Sequence, residues 1–342
     1  MNYISSKSFA QLLDILKKDY NLFLPFKKKN QRFYKKYSDY SDDITIGEVR
    51  AFEPLKAFFF NARVKVSEDF KPDVPVSSEK PYAIVGVKAC DLKGFKILDS
   101  VFKGEDFIDP LYAKAREKNL IISADCTCVI ETCFCLALDV KPHPREDFDI
   151  NLSQVKGGFI VESGSQKGKT IIEKNSNLFE EAKAEFINER DEQRVRVSKE
   201  VEKNIKENGI PYQERFKGII EKNYESEIWK DEAKTCVECG ACNSICPTCH
   251  CFLLFDQKDN QHLARFRLWD SCLIKDFARV AGGANPRHKL WMRLRNRFEK
   301  KFDFFPKLNN IYACTGCGRC ISACPAKIDI RKVLKRLSGN GK

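Results

Sequence analysis

Cys236-Val-Glu-Cys239-Gly-Ala-Cys242-Asn-Ser-Ile-Cys246-Pro247 and Cys314-Thr-Gly-Cys317-Gly-Arg-Cys320-Ile-Ser-Ala-Cys324-Pro325 are two copies of one pattern, C-x2-C-x2-C-x3-C-P. Three thiolates on a tight loop reach three irons of a 4Fe-4S cubane, while the fourth, past a helical turn and before proline, points to the other cluster. The pattern therefore predicts one cluster on Cys236, Cys239, Cys242 and Cys324 and a second on Cys314, Cys317, Cys320 and Cys246. Gly240, Ala241, Gly316 and Gly318 are small enough for backbone N–H groups to approach the sulfides, which favours the more negative reduced cluster. A structural zinc pair is the alternative, but zinc sites pair their cysteines on two separated hairpins rather than as two triple-plus-one runs.

More than sixty residues separate the copies, and Phe277 to Ala281 and Lys289 to Lys300 within that interval read as helix. A helical scaffold is expected. This last third of the chain resembles the α-helical ferredoxin domain of succinate dehydrogenase and heterodisulfide reductase iron-sulfur subunits.

Outside the repeats, no cysteine precedes Cys90, and five fall between Cys90 and Cys135. Tyr82-Ala-Ile-Val-Gly-Val87 and Leu120-Ile-Ile-Ser123 read as buried strands, with Leu92, Phe95, Leu98 and Phe102 at helical spacing between them and Asp109-Pro110 as a helix start. In such a right-handed β-α-β unit both strands end on the sheet edge where ligands gather. Cys90 and Cys126 lie just past those ends. A third 4Fe-4S cluster is expected on Cys90, Cys126, Cys133 and Cys135, with Cys128 as the spare thiol; zinc or small buried core residues are the alternatives.

Three further cysteines remain. Cys249 and Cys251 follow closely on Cys246-Pro247, and Cys272 ends Leu268-Trp-Asp-Ser-Cys272, so these are candidate further ligands, with His250 or Asp270 as a non-cysteine partner, or a lining of the cluster environment. His250 is left out of the ligand set, and His143, between two prolines, reads as a loop residue.

The chain has 342 residues, formal net charge +12, 43% hydrophobic residues and 16 cysteines, which suits more than one domain and metal binding rather than a small disulfide scaffold. The expected architecture is α+β: an N-terminal α/β domain over residues 1–177, a charged helical connector over 178–231 broken at Gly209-Ile-Pro211, and an α-helical ferredoxin-like dicluster domain with two 4Fe-4S motifs over 232–342. Gly158-Phe-Ile-Val-Glu162 and Lys169-Thr-Ile-Ile172 read as two strands joined by a glycine turn. Gly164 to Thr170 imitates a phosphate loop, but only three residues separate its glycines. No signal peptide or membrane-spanning run is found, which places the expected protein in the cytoplasm. Nor is there a nucleophile–base pair, dinucleotide fingerprint or carboxylate pair, so a non-catalytic subunit is expected. The basic run from Arg287 to Lys307, with Arg293, Arg295, Arg297, Lys300 and Lys301, reads as a solvated helix face, with docking to an acidic partner or to nucleic acid as alternatives.

Several segments then converge. Phe58-Phe-Phe60 with Arg63, Val85-Gly-Val-Lys-Ala-Cys-Asp-Leu-Lys-Gly94, Ile97-Leu-Asp99, Cys133-Phe-Cys135, Cys246-Pro-Thr-Cys-His-Cys251, Arg267-Leu-Trp-Asp-Ser-Cys272 and Ala281-Gly-Gly-Ala-Asn285 together resemble the β subunit of cytosolic NiFe hydrogenases of the sulfhydrogenase type, over nearly the whole chain. The same framework resembles an iron-sulfur component of anaerobic sulfite reductase and the corresponding component of flavin oxidoreductases serving heterodisulfide reductase. The resemblance implies an electron-transfer subunit of anaerobic metabolism, relaying single electrons between a flavin and NAD(P)-binding reductase subunit and NiFe hydrogenase small and large subunits, or sulfite or heterodisulfide reductase subunits in their place. It implies no nucleic-acid partner and no membrane insertion. Cys128 departs from the family pattern.

Overall fold

The computed structural model describes residues 1–38, 41, 43–71 and 80–339. The chain forms two units that interleave in sequence: Met1–Leu55, Lys80–Glu207 and Thr315–Cys317 make the first, and Lys56–Glu79, Asn208–Cys314 and Gly318–Lys342 the second. The segment expected to be a connector is mostly a 25-residue helix, Ala184–Asn208, whose Val197, Val201 and Ile205 are buried. Those three recur at i, i+4 and i+8, which puts one apolar stripe on an otherwise charged helix. Such a stripe needs a partner surface, and it ties the helix to the first unit.

An eight-stranded mixed sheet organises that unit, in the order Gln31–Lys36, Asn21–Lys28, Tyr82–Val87, Leu120–Ala124, Ile150–Val155, Gly158–Ser163, Asn2–Ser5 and Glu180–Glu181. Asn21–Lys28 through Ile150–Val155 run parallel. The parallel strands Tyr82–Val87 and Leu120–Ala124 are apolar and buried along most or all of their length, as expected where both sheet faces are covered. Between them stand the helices Ala89–Phe102 and Pro110–Lys118, the second capped by the Asp109 side chain with proline at its start. Gly158–Ser163 forms as expected, but its partners are Ile150–Val155 and Asn2–Ser5, and Lys169–Ile172 lies in the helix Gln166–Lys174. Ser165 caps that helix by accepting from the Gly168 N–H, so a local cap overrides the β-branched run that suggested a strand.

The second unit is not built of helices alone. The interval between the cysteine repeats opens with a hairpin, Phe252–Asp259 and His262–Trp269, which pairs on with Arg63–Glu68 into a three-stranded antiparallel sheet. Phe277 to Ala281 is turn rather than helix. The helix Leu290–Glu299 does form; it runs through a π turn at Lys300–Phe304 into Phe305–Asn309. Its basic residues are not a solvated face. Arg293 is 1% exposed, Arg297 5% and Lys301 4%. No helix among the described residues is long and apolar enough to cross a membrane.

Candidate iron-sulfur centres

In the first unit, a cavity is lined by all five N-terminal thiols, Cys90, Cys126, Cys128, Cys133 and Cys135, together with Arg50 and Cys317. The parallel sheet sets this up. Cys90 sits in the first turn of Ala89–Phe102, right after one strand, and Cys126 two residues beyond the next. The loop is pinned by backbone bonds: the Cys126 N–H donates to the Pro142 carbonyl at 2.9 Å and the Thr127 N–H to the Gly47 carbonyl at 2.7 Å. From the long helix, Asn204 Nδ2 donates to the Ile130 carbonyl at 2.9 Å and Arg196 to the Thr127 carbonyl at 2.9 Å. Gly316 meets the Cys-Phe-Cys element. Its carbonyl accepts from the Phe134 N–H at 2.9 Å, its φ is +64°, and a Cβ there would lie 2.5 Å from the Cys135 Cα.

Lys88 supplies the charge at this site. Its side chain is 1% exposed and donates to the Ile46 carbonyl at 2.7 Å and the Asp125 carbonyl at 3.1 Å. Burial pulls its pKa down, while Cys126, Asp125, Cys128 and Cys90 oppose that pull. Burial pushes the Cys126 thiol up to about 12, against Lys88. A buried thiol in that position stays protonated unless something replaces its proton, as iron would. Asp125 is itself buried, held by Arg194 at 2.7 Å, Ser153 at 2.8 Å and Asn151 at 3.0 Å.

In the second unit, Cys236, Cys239, Cys242 and Cys324 line one cavity, with Cys320 and the guanidinium of Arg297 also on its wall. Gly240 turns the loop at φ +69° into the short helix Ala241–Ser244. Burial raises the Cys242 thiol to about 11, opposed by Arg297. Arg297 donates through Nε to Asn243 Oδ1 at 2.9 Å and through Nη2 to the Cys242 carbonyl at 3.3 Å. Burial opposes its charge, yet Cys242, Cys320, Cys249 and Cys246 raise its pKa on balance.

Cys246, Cys314 and Cys320 are in the second unit, and Cys317 falls with the first. Beside Cys246 stands Lys301, whose Nζ lies 3.4 Å from the Cys246 sulfur and donates to Thr248 Oγ1 at 2.8 Å and the Ala313 carbonyl at 2.9 Å. Burial disfavours its charge, but Cys246, Cys249 and Cys314 outweigh that and raise its pKa. Neither Arg297 nor Lys301 has a carboxylate within ion-pair distance among the described residues. A buried, unpaired charge costs several kcal/mol. The groups that offset them are the surrounding cysteines, Cys246 among them, whose thiol is held well below its ordinary range by Cys249, Lys301 and Arg297; an anionic iron–thiolate cluster would supply the same counter-charge. Among the described residues no three His, Cys, Asp or Glu side chains converge on a point suited to a single ion. The thiols instead line cavities, and an all-thiolate lining is the donor set an iron–sulfur cluster takes.

Cys249, His250, Cys251 and Cys272 line a separate cavity of the second unit, and Asp270 is not on its wall. His143 stands in a loop, where burial lowers its pKa to about 4. The buried cations Lys88, Arg297 and Lys301 were not anticipated as part of the sites. A signal for two of them exists: Arg293, Arg297 and Lys301 recur at i, i+4 and i+8 beside Leu294, Phe298 and Phe302, which places three cations next to the core stripe of one helix.

Residues 235–328 match the family model of the 4Fe-4S dicluster domain. Over 338 residues, 98% of each chain, the sequence is 30% identical to sulfhydrogenase 2 subunit beta of Pyrococcus furiosus. No solved structure matches.

Proposed function

We propose that this chain, which belongs to the sulfhydrogenase β-subunit family and carries a 4Fe-4S dicluster domain, relays single electrons between a flavin and NAD(P)-binding reductase subunit and a NiFe hydrogenase module. The observation that supports the reading best is the pairing of thiol-lined cavities with buried cations that have no carboxylate partner. Cys236, Cys239, Cys242 and Cys324 would hold one 4Fe-4S cluster, Cys314, Cys317, Cys320 and Cys246 a second, and Cys90, Cys126, Cys133 and Cys135 a third. Cys128 lines the same cavity as that third set. A 4Fe-4S cluster, when bound, supplies one-electron chemistry at a potential set by charge, hydrogen bonding and solvent access.

The chain's own residues tune those conditions. Arg297 and Lys301 place fixed positive charge where an added electron is stabilised, and the apolar side chains around them, Leu294, Phe298 and Phe302, exclude water and keep that interaction strong. Cys239 is exposed, so one edge of its cavity faces outward. An exposed edge suits exchange with a neighbouring subunit.

Anaerobic capture of the tagged native chain, with identification of every protein that elutes with it, tests the relay. Recovery of NiFe-type subunits with a flavin subunit is the expected outcome. A sirohaem or heterodisulfide-reducing partner instead would overturn the hydrogenase module and keep the relay. Iron in the C126A/C133A variant about four atoms per chain below the parent is expected from the third cluster; equal iron in the two overturns it.

A further inference from the structure

Next to the Cys246 turn, the second unit holds a cavity of 230 Å³ lined by Cys249, His250, Cys251, Cys272, Lys300 and Lys301. None of its three thiols is needed by the two C-x2-C-x2-C-x3-C-P motifs. The fold assembles them from two places: Cys249 and Cys251 follow the Cys246 turn, and Cys272 follows the far strand of the hairpin that Phe252 begins. The hairpin's closure joins them, with the Asp270 N–H donating to the Cys251 carbonyl at 3.0 Å and Phe252 registered on Trp269. Thr248 Oγ1 lies 3.2 Å from the Cys246 sulfur at the edge of this group. Asn243 Nδ2 also reaches the Cys272 sulfur at 3.1 Å. Lys56, buried in the same unit, donates to the Cys249 carbonyl at 2.8 Å. Arg297 stands on this wall as well as on that of the Cys236 cavity.

We propose that this cavity holds a further iron–sulfur cluster, ligated by the thiolates of Cys249, Cys251 and Cys272 with the imidazole of His250 completing the set. The inference rests on the iron-sulfur reading of the dicluster domain but not on the relay or on the cluster of the first unit. Three soft thiolates with an imidazole select zinc or iron–sulfur chemistry. Zinc is disfavoured because the space the four side chains line is far larger than a single ion. Arg297, Lys300 and Lys301 on one wall suit an anionic occupant. Nδ1 of His250 lies 3.1 Å from the Thr248 carbonyl, which as its acceptor fixes the tautomer with Nε2 as the unprotonated, ligating nitrogen.

The test compares iron, acid-labile sulfide and zinc in the anaerobically purified full chain and in C251A/C272A, with electron paramagnetic resonance of the reduced proteins. The variant is expected to lose about four irons and as many sulfides per chain while the dicluster signals persist. Unchanged iron and sulfide, stoichiometric zinc in the parent, or a Cys251–Cys272 disulfide in the anaerobic parent would each overturn the proposal. If C251A/C272A fails to fold, the C126A/C133A variant decides it. Residual iron of about twelve per chain supports the extra cluster, and about eight removes it. Parent iron equal to that of C126A/C133A would instead count against the cluster of the first unit, so the two failures are separable.

Discussion

At the scale of single residues, the sites depend on side chains that bear no ligand atom. Arg297 is the clearest case: it is buried, its hydrogen bonds go to Asn243 and a backbone carbonyl, and the groups that offset its charge among the described residues are cysteines. Replacing it with glutamine removes a positive charge beside the cluster positions. The reduced form, which carries one more negative charge, loses more than the oxidised form. An interaction of about 2 kcal/mol at an effective dielectric near 20 corresponds to roughly 90 mV for one electron. R297Q is therefore expected to lower the potential of the dicluster by that order in a redox titration, with iron content retained. Gly316 gives a steric prediction. Any side chain there meets the Cys135 Cα at 2.5 Å and must also adopt φ +64°, so G316A is expected to cost about 1–3 kcal/mol and to reduce iron loading at the Cys90–Cys135 site. Thermal unfolding and iron analysis of the variant check both effects.

At the scale of elements, the helix Leu290–Glu299 is a brace between loops rather than a surface for partners. Arg293 donates to the carbonyls of Leu273 at 3.0 Å, Arg287 at 2.9 Å and His288 at 2.8 Å, and pairs with Glu238 at 2.8 Å. Glu238 lies inside the first cysteine loop at φ +56°, so one arginine ties that loop to the segment after Cys272. R293A leaves three carbonyls and a carboxylate unpaired. An expected cost of about 3 kcal/mol, with R293K recovering only part because lysine cannot span the same fork, would appear as a lower urea midpoint. Arg295 is committed too, with its guanidinium 3.4 Å from the centre of the Tyr224 ring. Arg293, Arg295, Arg297 and Lys301 of this run thus serve the interior, while Lys289, Lys300 and Lys307 are exposed. No salt-sensitive binding of DNA or RNA by the purified chain is expected at low ionic strength, and a gel-shift series would show it if present.

At the scale of the whole molecule, each unit carries buried cations whose charge neighbouring cysteines help to offset: Lys88, with Asp125 as well, in the first, and Arg297 and Lys301 in the second. Metal removal should therefore do more than empty the sites. Without an anionic cluster, Lys88 keeps Asp125, and Arg297 and Lys301 keep Cys246, whose thiol Cys249 and these two cations hold low, but burial raises Cys126 to about 12 and Cys242 to about 11, so much of the compensation is lost. Stripping iron with a chelator under reducing conditions is expected to lower the unfolding temperature of the chain markedly, and anaerobic reconstitution with iron and sulfide to restore it. An unchanged melting curve after iron loss would show that the buried charges are compensated by something other than a cluster.

The cysteine spacing alone determined the dicluster motif, because a loop that must present three thiolates to one cubane leaves little freedom in the number of residues between them. The parallel β-α-β unit around Cys90 was legible as well, from two short runs of buried apolar residues. Local pattern failed where a long-range partner or a cap decided the outcome. Lys169–Ile172 reads as strand but is helix because Ser165 caps it, and Phe252–Trp269 pairs as a hairpin in an interval that read as helical. The arginines of 293–297 read as solvated because charge in a sequence carries no sign of what surrounds it. Cys249, Cys251 and Cys272 were legible as leftover thiols, but only the tertiary structure showed them lining one cavity, through a hairpin whose ends are joined by the Asp270 N–H and the Cys251 carbonyl. Spacing fixes ligands that share a loop; ligands from separate elements are joined by packing, which no short-range pattern encodes.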